Sequence, residues 1–288
     1  MTHFVSLSSG SNGNCYYIGN ECAGILIDAG IGTRTIKKRL GEVGIPVERI
    51  RCVLVSHDHF DHIRSLGTFA ERFHKPVYAT APCIAAFNRH YCTRGFLGPG
   101  RCHELMPGED LWLEGGSAAM GRGIRVTPFR VPHDATDTVG FFIDFFGETF
   151  TFLTDLGAVT EDAVLYASRS RHLIVEANYD PEMLRTGSYP PDLQQRIRSG
   201  HGHLANAQTA ELILRALAHS GTSGPLLQDV FLCHLSENNN TPELALETVS
   251  AALSKSSYSV ADSSCPDAPG IRLVALPRRE HSTLFTWQ

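Results

Sequence analysis

The stretch Arg51-Cys-Val-Leu-Val-Ser56, followed at once by His57-Asp58-His59-Phe60-Asp61-His62, decides how the rest of the chain is read. Its first half is a short apolar, β-branched run, the pattern of a buried strand. Its second half places three imidazoles and the Asp61 carboxylate at the exit of that strand. Packing does not explain them, because buried polar groups need partners. A loop leaving a strand can aim His57 and His59 at one point, and Asp61 and His62 at a second point beside it. Neutral imidazole nitrogens and carboxylate oxygens suit zinc, manganese or iron. Two adjacent divalent ions are what hydrolysis at a phosphoryl or acyl centre exploits. The plainer reading of the same six residues is a solvated polar loop.

Working outward, other metal-binding side chains recur at the ends of apolar runs. Asp28 closes GILID, and alone it reads as a turn carboxylate. Beside a histidine cluster it becomes a candidate partner for the second N–H of a metal-bound imidazole. His133 follows the extended Arg130-Val-Pro segment, Asp155 follows TFTFLT, and His234 follows VFLC. One such histidine is more often structural than a ligand. Three further donors, each leaving an apolar strand, point to a convergent edge.

Strand patterns cover residues 4–7, 15–18, 24–28, 51–55, 76–80, 124–128, 139–145, 149–154, 172–176, 230–233 and 272–276. Helical patterns cover 33–43, 63–73, 82–91, 161–167, 206–218 and 242–253. Strand-rich sequence followed by strands alternating with helices suits an α/β (α+β) architecture, two sheets with helices outside in a four-layer sandwich. No repeat or long linker appears, so a single domain over 1–288 is expected, with 254–269 as a surface loop. With 42% hydrophobic and 19% charged residues the chain is globular rather than disordered. A net charge of −5 excludes a broadly basic nucleic-acid coat protein, so any phosphate grip must be local. The start lacks a basic stretch followed by an apolar core, and the most apolar run, 139–143, is stopped by Asp144. That is far short of the ~20 residues of a membrane helix, so a cytoplasmic location and no membrane partner are expected. The eight cysteines, including Cys265, are scattered without CxxC pairs and read as reduced.

The ordered set Asp28, His57-x-His59-x-Asp61-His62, His133, Asp155 and His234 resembles the five motifs of the metallo-β-lactamase superfamily over most of the chain. That resemblance implies an αββα sandwich with two metals at one edge. It places His57, His59 and His133 on the first metal and Asp61, His62 and His234 on the second. Asp155 would bridge them and Asp28 would support the site from beneath. The opening SSGSNGNC (8–15), Glu176-Ala177-Asn178, Gly202-His203-Leu204-Ala205-Asn206 and His234-Leu-Ser236-Glu-Asn238-Asn239 are similar to the bacterial YycJ/WalJ-like branch. This branch is regarded as DNA-processing 5′-to-3′ exonucleases. Asp58 and Phe60 stand where Glu and Ser are often seen inside the core motif, and Ala205 where serine is common, which bears on substrate preference. Only 78 residues separate Asp155 from His234, too few for the inserted domain of the larger nuclease relatives.

These readings lead to a di-metal phosphodiesterase acting on nucleic acid, DNA ends in particular, with a metal-bridging hydroxide as nucleophile. Asp61 and Asp155 would both bind metal and act in catalysis. His203, directly before a helix N-terminus, would serve the phosphate or leaving group. Ser236, Asn238 and Asn206 are candidate substrate contacts, and Arg34, Lys37, Lys38, Arg39, Arg64, Arg196 and Arg198 are candidate backbone grips. The Ser8–Asn14 stretch is a phosphate cradle or, more plainly, a tight turn bordering the site. Asp58 has either a supporting or a solvent-facing role. The remaining histidines, among them His90 and His172, are assigned to surface or packing. A thioester or lactone hydrolase on the same metals is the alternative enzyme, and a relic binding module the alternative outside enzymes. The choice among zinc, manganese and iron stays open, as does the oligomeric state.

Overall fold

Apolar runs in the first third of the chain become strands β1 (Thr2–Ser8), β2 (Cys15–Gly19), β3 (Gly24–Ile27), β4 (Ile50–Leu54) and β5 (Val77–Ala79). The computed structural model describes residues 1–98, 100–113, 123–219, 227–256, 258–261 and 270–288. By contact density it divides into two units. The first is Met1–Trp112, Ala135–Val139 and Pro277–Gln288; the second is Leu113–Asp134 and Gly140–Leu276.

In the first unit, β6 (Cys102–Glu104) and β14 (Phe285–Trp287) complete a seven-stranded sheet of order β14-β1-β2-β3-β4-β5-β6. Pairing is antiparallel from β14 to β3 and parallel from β3 to β6. Side chains alternate across a strand, so Val5, Leu7, Cys15, Tyr17, Leu26, Val53, Val55 and Val77 share one face. They pack with Ile36 and Leu40 of α1 (Thr33–Glu42), Leu66, Phe69 and Ala70 of α3 (Leu66–Phe73), and Cys83 and Phe87 of α4 (Ala81–Phe87). Ile36 and Leu40 are four residues apart, one stripe of the helix, and each such fully buried side chain contributes about 2 kcal/mol. The intervening set, Phe4, Tyr16, Ile18, Ile25, Ile27 and Leu54, is also fully buried. Strands apolar on both faces give continuous rather than alternating runs, as the sequence shows.

The expected helix over 63–73 is two helices, α2 (Phe60–Ile63) and α3. Ser65 breaks it: its N–H donates to Ala29 O at 2.9 Å and its hydroxyl to the carbonyls of Ala29 and Ile31. Its ψ of 14° departs from the helix accordingly. The break ties the histidine loop to the turn after β3.

The second unit carries the sheet order β13-β12-β11-β10-β9-β8-β7. Its strands are β7 (Leu111–Leu113, which straddles the division), β8 (Ile124–Arg130), β9 (Val139–Phe145), β10 (Glu148–Leu153), β11 (His172–Glu176), β12 (Asp229–Cys233) and β13 (Arg272–Ala275). Here β9 and β10 are antiparallel, while β10 to β13 run parallel. Leu153, Leu173, Val175, Val230, Leu232 and Leu273 pack with α5 (Glu161–Ser168), α8 (Asn206–His219) and α9 (Pro242–Lys255). The expected helix over 242–253 begins where its sequence signal lies: Thr241 Oγ1 accepts from Leu244 N at 3.2 Å, with Pro242 in the first turn. Two helices were not expected, α6 (Pro181–Thr186) and α7 (Pro191–Arg198). Of the expected surface loop 254–269, residues 257 and 262–269 lie outside the described set, as does Cys265. Among the described residues, no helix is long and apolar enough to cross a membrane.

The N-terminal ends of the parallel strands carry a buried polar row. His172 pairs in register with Asp229, and Asp229 with Arg272. His172 Nδ1–H donates to Asp229 Oδ2 at 2.7 Å, its Nε2 lies 3.0 Å from Glu148 Oε2, and Arg272 Nε donates to Asp229 Oδ1 at 2.5 Å. His172 is therefore a structural histidine, as expected. Burial pushes the Asp229 carboxyl up, but His172 and Arg272 together hold it below its ordinary value. Its contribution to stability is thus present above the unfolded value of about 4 and is lost as the pH falls through the lower folded value. Asp229→Asn should cost about 2–3 kcal/mol in urea unfolding at pH 7. The gap to wild type should shrink below about pH 4. An unchanged gap at both pH values would count against the assignment.

Candidate active site

In the first unit the donors gather where β3 and β4 end. Asp28 follows β3 and is fully buried; its Oδ1 accepts from Ser56 N at 2.8 Å. Its Oδ2 accepts from Ser56 Oγ at 2.8 Å and from His62 Nδ1–H at 2.7 Å. Ser56 Oγ has one proton and gives it to Asp28, so it accepts from His57 Nδ1–H at 3.0 Å. Both imidazoles thereby hold their protons on Nδ1 and keep the Nε2 lone pair, the tautomer a metal ligand needs. The His57 ring lies 4.7 Å from His59 and 4.1 Å from His62 between centroids.

Gly30 lets this turn close. A Cβ there would meet Asp61 O at 1.6 Å, and the tight approach allows Asn14 N to donate to Asp61 O and Gly30 N to Asn14 O. Asn14, fully buried, then sets its amide Nδ2 3.0 Å from His62 Nε2 and 3.2 Å from Asp61 Oδ2. The Ser8–Asn14 stretch is therefore a turn bordering the cluster. Asn14 was not singled out from the sequence; its setting in a Gly/Ser-rich turn was the signal. Asp58, within the motif, supports from the side, since its carboxylate accepts from Thr136 N at 3.0 Å and from Thr136 Oγ1 at 2.6 Å. His90 Nε2 lies 3.3 Å from its Oδ2.

In the second unit the donors stand at the ends of β10, β11 and β12. Glu176, fully buried at the end of β11, is the residue sequence reasoning missed as a functional group. Its Oε1 accepts from His203 Nδ1–H at 2.5 Å and from His234 Nδ1–H at 3.1 Å. Its Oε2 accepts from Leu156 N and Leu204 N, both at 3.1 Å. Four bonds compensate the cost of burying the charge. Burial would raise the carboxyl, but the attraction of His203 and the bonds from both histidines hold it below its ordinary value. Burial likewise would lower the His203 imidazole, and Glu176 raises it above the ordinary value instead. Asp155 Oδ1 lies 3.2 Å from His234 Nδ1 and 3.7 Å from His133 Nε2. His133 Nδ1–H donates to Gly202 O at 2.8 Å, and burial holds its ring below the ordinary value, toward the neutral ligand form. One donor atom each from Asp155, Glu176, His203 and His234 lies within 4.8 Å of every other.

Two donors sit on left-handed backbone: Asp28 at φ 61° and His234 at φ 51°. Both residues turn the chain sharply where a strand ends, and side chains other than glycine adopt this region at a cost.

Nitrogen and oxygen donors in two clusters, with imidazole N–H groups committed to carboxylates and carbonyls, fit divalent cations. The three expected substrate contacts fare differently. Asn238 is exposed, with its Nδ2 donating to Tyr189 Oη at 3.1 Å. Ser236 is buried and its Oγ accepts from Asn239 N at 3.2 Å, holding the turn. Asn206 is a correction: its side chain is fully buried and pairs with Asn240, which also donates to Ala177 O, so it anchors the start of α8 and does not reach a substrate. Among the cations, Arg39 donates to Leu7 O and Arg279 O, and Arg196 pairs with Asp134, so both are committed to the fold. Arg34, Lys37 and Lys38 of α1, with Arg72 and Phe73, line a cavity of about 340 Å³ on the first unit.

The family model described as "Beta-lactamase superfamily domain" matches residues 24–220. Exodeoxyribonuclease WalJ of Streptococcus pneumoniae is 31% identical over 254 residues, covering 88% of this chain and 89% of that protein. Exodeoxyribonuclease YycJ of Bacillus anthracis is 28% identical over 260 residues, covering 90% and 92%. Among solved structures, the metallo-β-lactamase fold protein YhfI from Bacillus subtilis aligns over 99% of both chains with a TM-score of 0.66 at 15% identity. That likeness gives the fold, of the αββα class expected from the sequence. The chain belongs to the metallo-β-lactamase superfamily, in its WalJ/YycJ-like branch, and is a metal-dependent hydrolase.

Proposed function

We propose that the chain is a metal-dependent nuclease, a 5′-to-3′ DNA exonuclease, working as one functional domain over 1–288. The observation that carries this reading is that two curated relatives, both exodeoxyribonucleases, align over nearly the whole chain. His57, His59, Asp61, His62, His133, Asp155 and His234 would hold two divalent ions, zinc or manganese. When bound, these would supply an activated water and neutralise charge on the phosphoryl oxygens. The protein does the rest. Asp28 and Ser56 fix the tautomers of His57 and His62, and Glu176 orients His203 and His234. Asp61 orients the nucleophile. His203, kept more readily protonated by Glu176, donates a proton from Nε2 to the departing oxygen. Asn238 contacts the substrate. Support for a polyanionic substrate, in a chain of net charge −5, comes from the cationic cavity of Arg34, Lys37, Lys38 and Arg72.

His59→Ala and Asp155→Ala should each abolish manganese-dependent digestion of 5′-phosphorylated linear DNA, read on labelled single and double strands. Wild-type protein that leaves both intact across several divalent metals, while hydrolysing a thioester or lactone, would overturn the nuclease reading. Asp28→Asn should weaken divalent-metal binding by about 10- to 100-fold in a competitive chelator titration, because the partner that sets the His62 tautomer is lost. An affinity equal to wild type would remove Asp28 from the supporting role.

A further inference from the structure

The core motif carries an aromatic ring in an unusual place. Phe60 lies between His59 and Asp61, two of the proposed ligands, yet it is 37% exposed, while Tyr91 is 74% exposed. Among the described residues, large apolar side chains this open are few, and these two stand against each other, with centroids 5.6 Å apart and planes inclined by 36°. The Arg64 guanidinium lies 4.9 Å from the Phe60 centroid. Among the described residues no carboxylate pairs with Arg64.

Tyr91 is not a loose side chain on a loose loop. On one side of it, His90 is tied to Asp58 of the core motif at 3.3 Å. On the other, Cys92 is buried, and Thr93 Oγ1 bonds to Phe87 O at 2.6 Å and to His90 O at 3.2 Å. Gly67 of α3 makes room for this loop, since a Cβ there would meet Cys92 O at 2.4 Å. The backbone on both sides of Tyr91 is therefore held while its ring is presented to solvent. Asp58, whose role the sequence left open, couples this loop to the motif that carries Phe60. Flat π-faces and a guanidinium are the means by which proteins grip an unpaired base together with its phosphate, and that stacking is tolerant of base identity.

We propose that Phe60, Tyr91 and Arg64 form a stacking platform for an unpaired nucleobase at the end of a nucleic-acid strand, with Arg64 facing the neighbouring phosphate. This inference rests on the nuclease reading and names the part of the substrate held beside the proposed metal ligands. Such a platform positions the end of the strand without reading its sequence.

The test uses single-stranded DNA whose 5′-terminal base is 2-aminopurine, and a matched strand whose terminal sugar carries no base. Phe60→Ala and Tyr91→Ala should each lower kcat/KM on the ordinary strand by about 10-fold or more, mainly through KM. Phe60→Trp and Tyr91→Phe should restore it. On the abasic end, wild type and variants should fall to a common rate. Tyr91→Ala removes the more exposed ring, so its readout stands even if Phe60→Ala fails to fold. Equal losses on both strands, or ordinary rates in both alanine variants, would overturn the proposal. Quenching of 2-aminopurine on binding to chelator-treated protein is read separately. Quenching by wild type that is lost in Tyr91→Ala supports the platform even if no DNA is cleaved, whereas no quenching by wild type rejects it.

Discussion

Burying a carboxylate is costly unless hydrogen bonds replace its water, and each unit meets that requirement by collecting imidazole N–H groups. Asp28 is reached by Ser56 twice and by His62; Glu176 is reached by His203, His234 and two backbone amides. The same bonds do three things at once. They satisfy the buried charge, they fasten the ends of neighbouring strands, and they fix which ring nitrogen keeps its lone pair. Remove Glu176 and its two histidines lose orientation together, because they share an acceptor; remove Asp28 and His62 loses its partner directly, while His57 loses it through Ser56.

The two ends of the parallel strands in the second unit divide the work. At the N-terminal ends, Arg272, Asp229, His172 and Glu148 satisfy one another across four strands. Nothing there asks for a ligand. At the C-terminal ends, Asp155, Glu176 and His234 crowd like-charged acceptors and neighbouring rings into a few ångströms. Titratable groups are thus closed off at one end of the sheet and left facing one another at the other, which is where chemistry belongs in strands of this direction.

Much of this was legible in the sequence. The eleven expected strands each correspond to a strand of the structure within a residue or two at either end, because runs buried on both faces announce themselves by composition. Strands β6, β7 and β14 were missed, being three residues each at the margins of their sheets, where pairing rather than hydrophobic pattern makes the strand. Helices α6 and α7 were missed although Asp180-Pro181 and Pro190-Pro191 are start signals, since so few residues carry little periodicity. At the site, the histidine motif was plain because its spacing is local. Glu176 was not, because a single acid at a strand end gains meaning only when β12 pairs beside β11 and brings His234 to it. Asn206 differs the other way: the sequence makes it a candidate substrate contact, while its amide is consumed by Asn240.

The left-handed backbone at Asp28 and His234 is strain that the hydrogen bonds of the site hold in place. Side chains with a Cβ adopt that region at a cost on the order of 1 kcal/mol that glycine does not incur. Asp28 accepts three hydrogen bonds and His234 donates one to Glu176, so glycine at either turn would relieve the strain and leave buried partners unmatched, at a cost of about 1–3 kcal/mol. Random mutagenesis scored only on melting temperature therefore has no downhill path to glycine at these two turns, and groups the chemistry needs are guarded by the fold they strain.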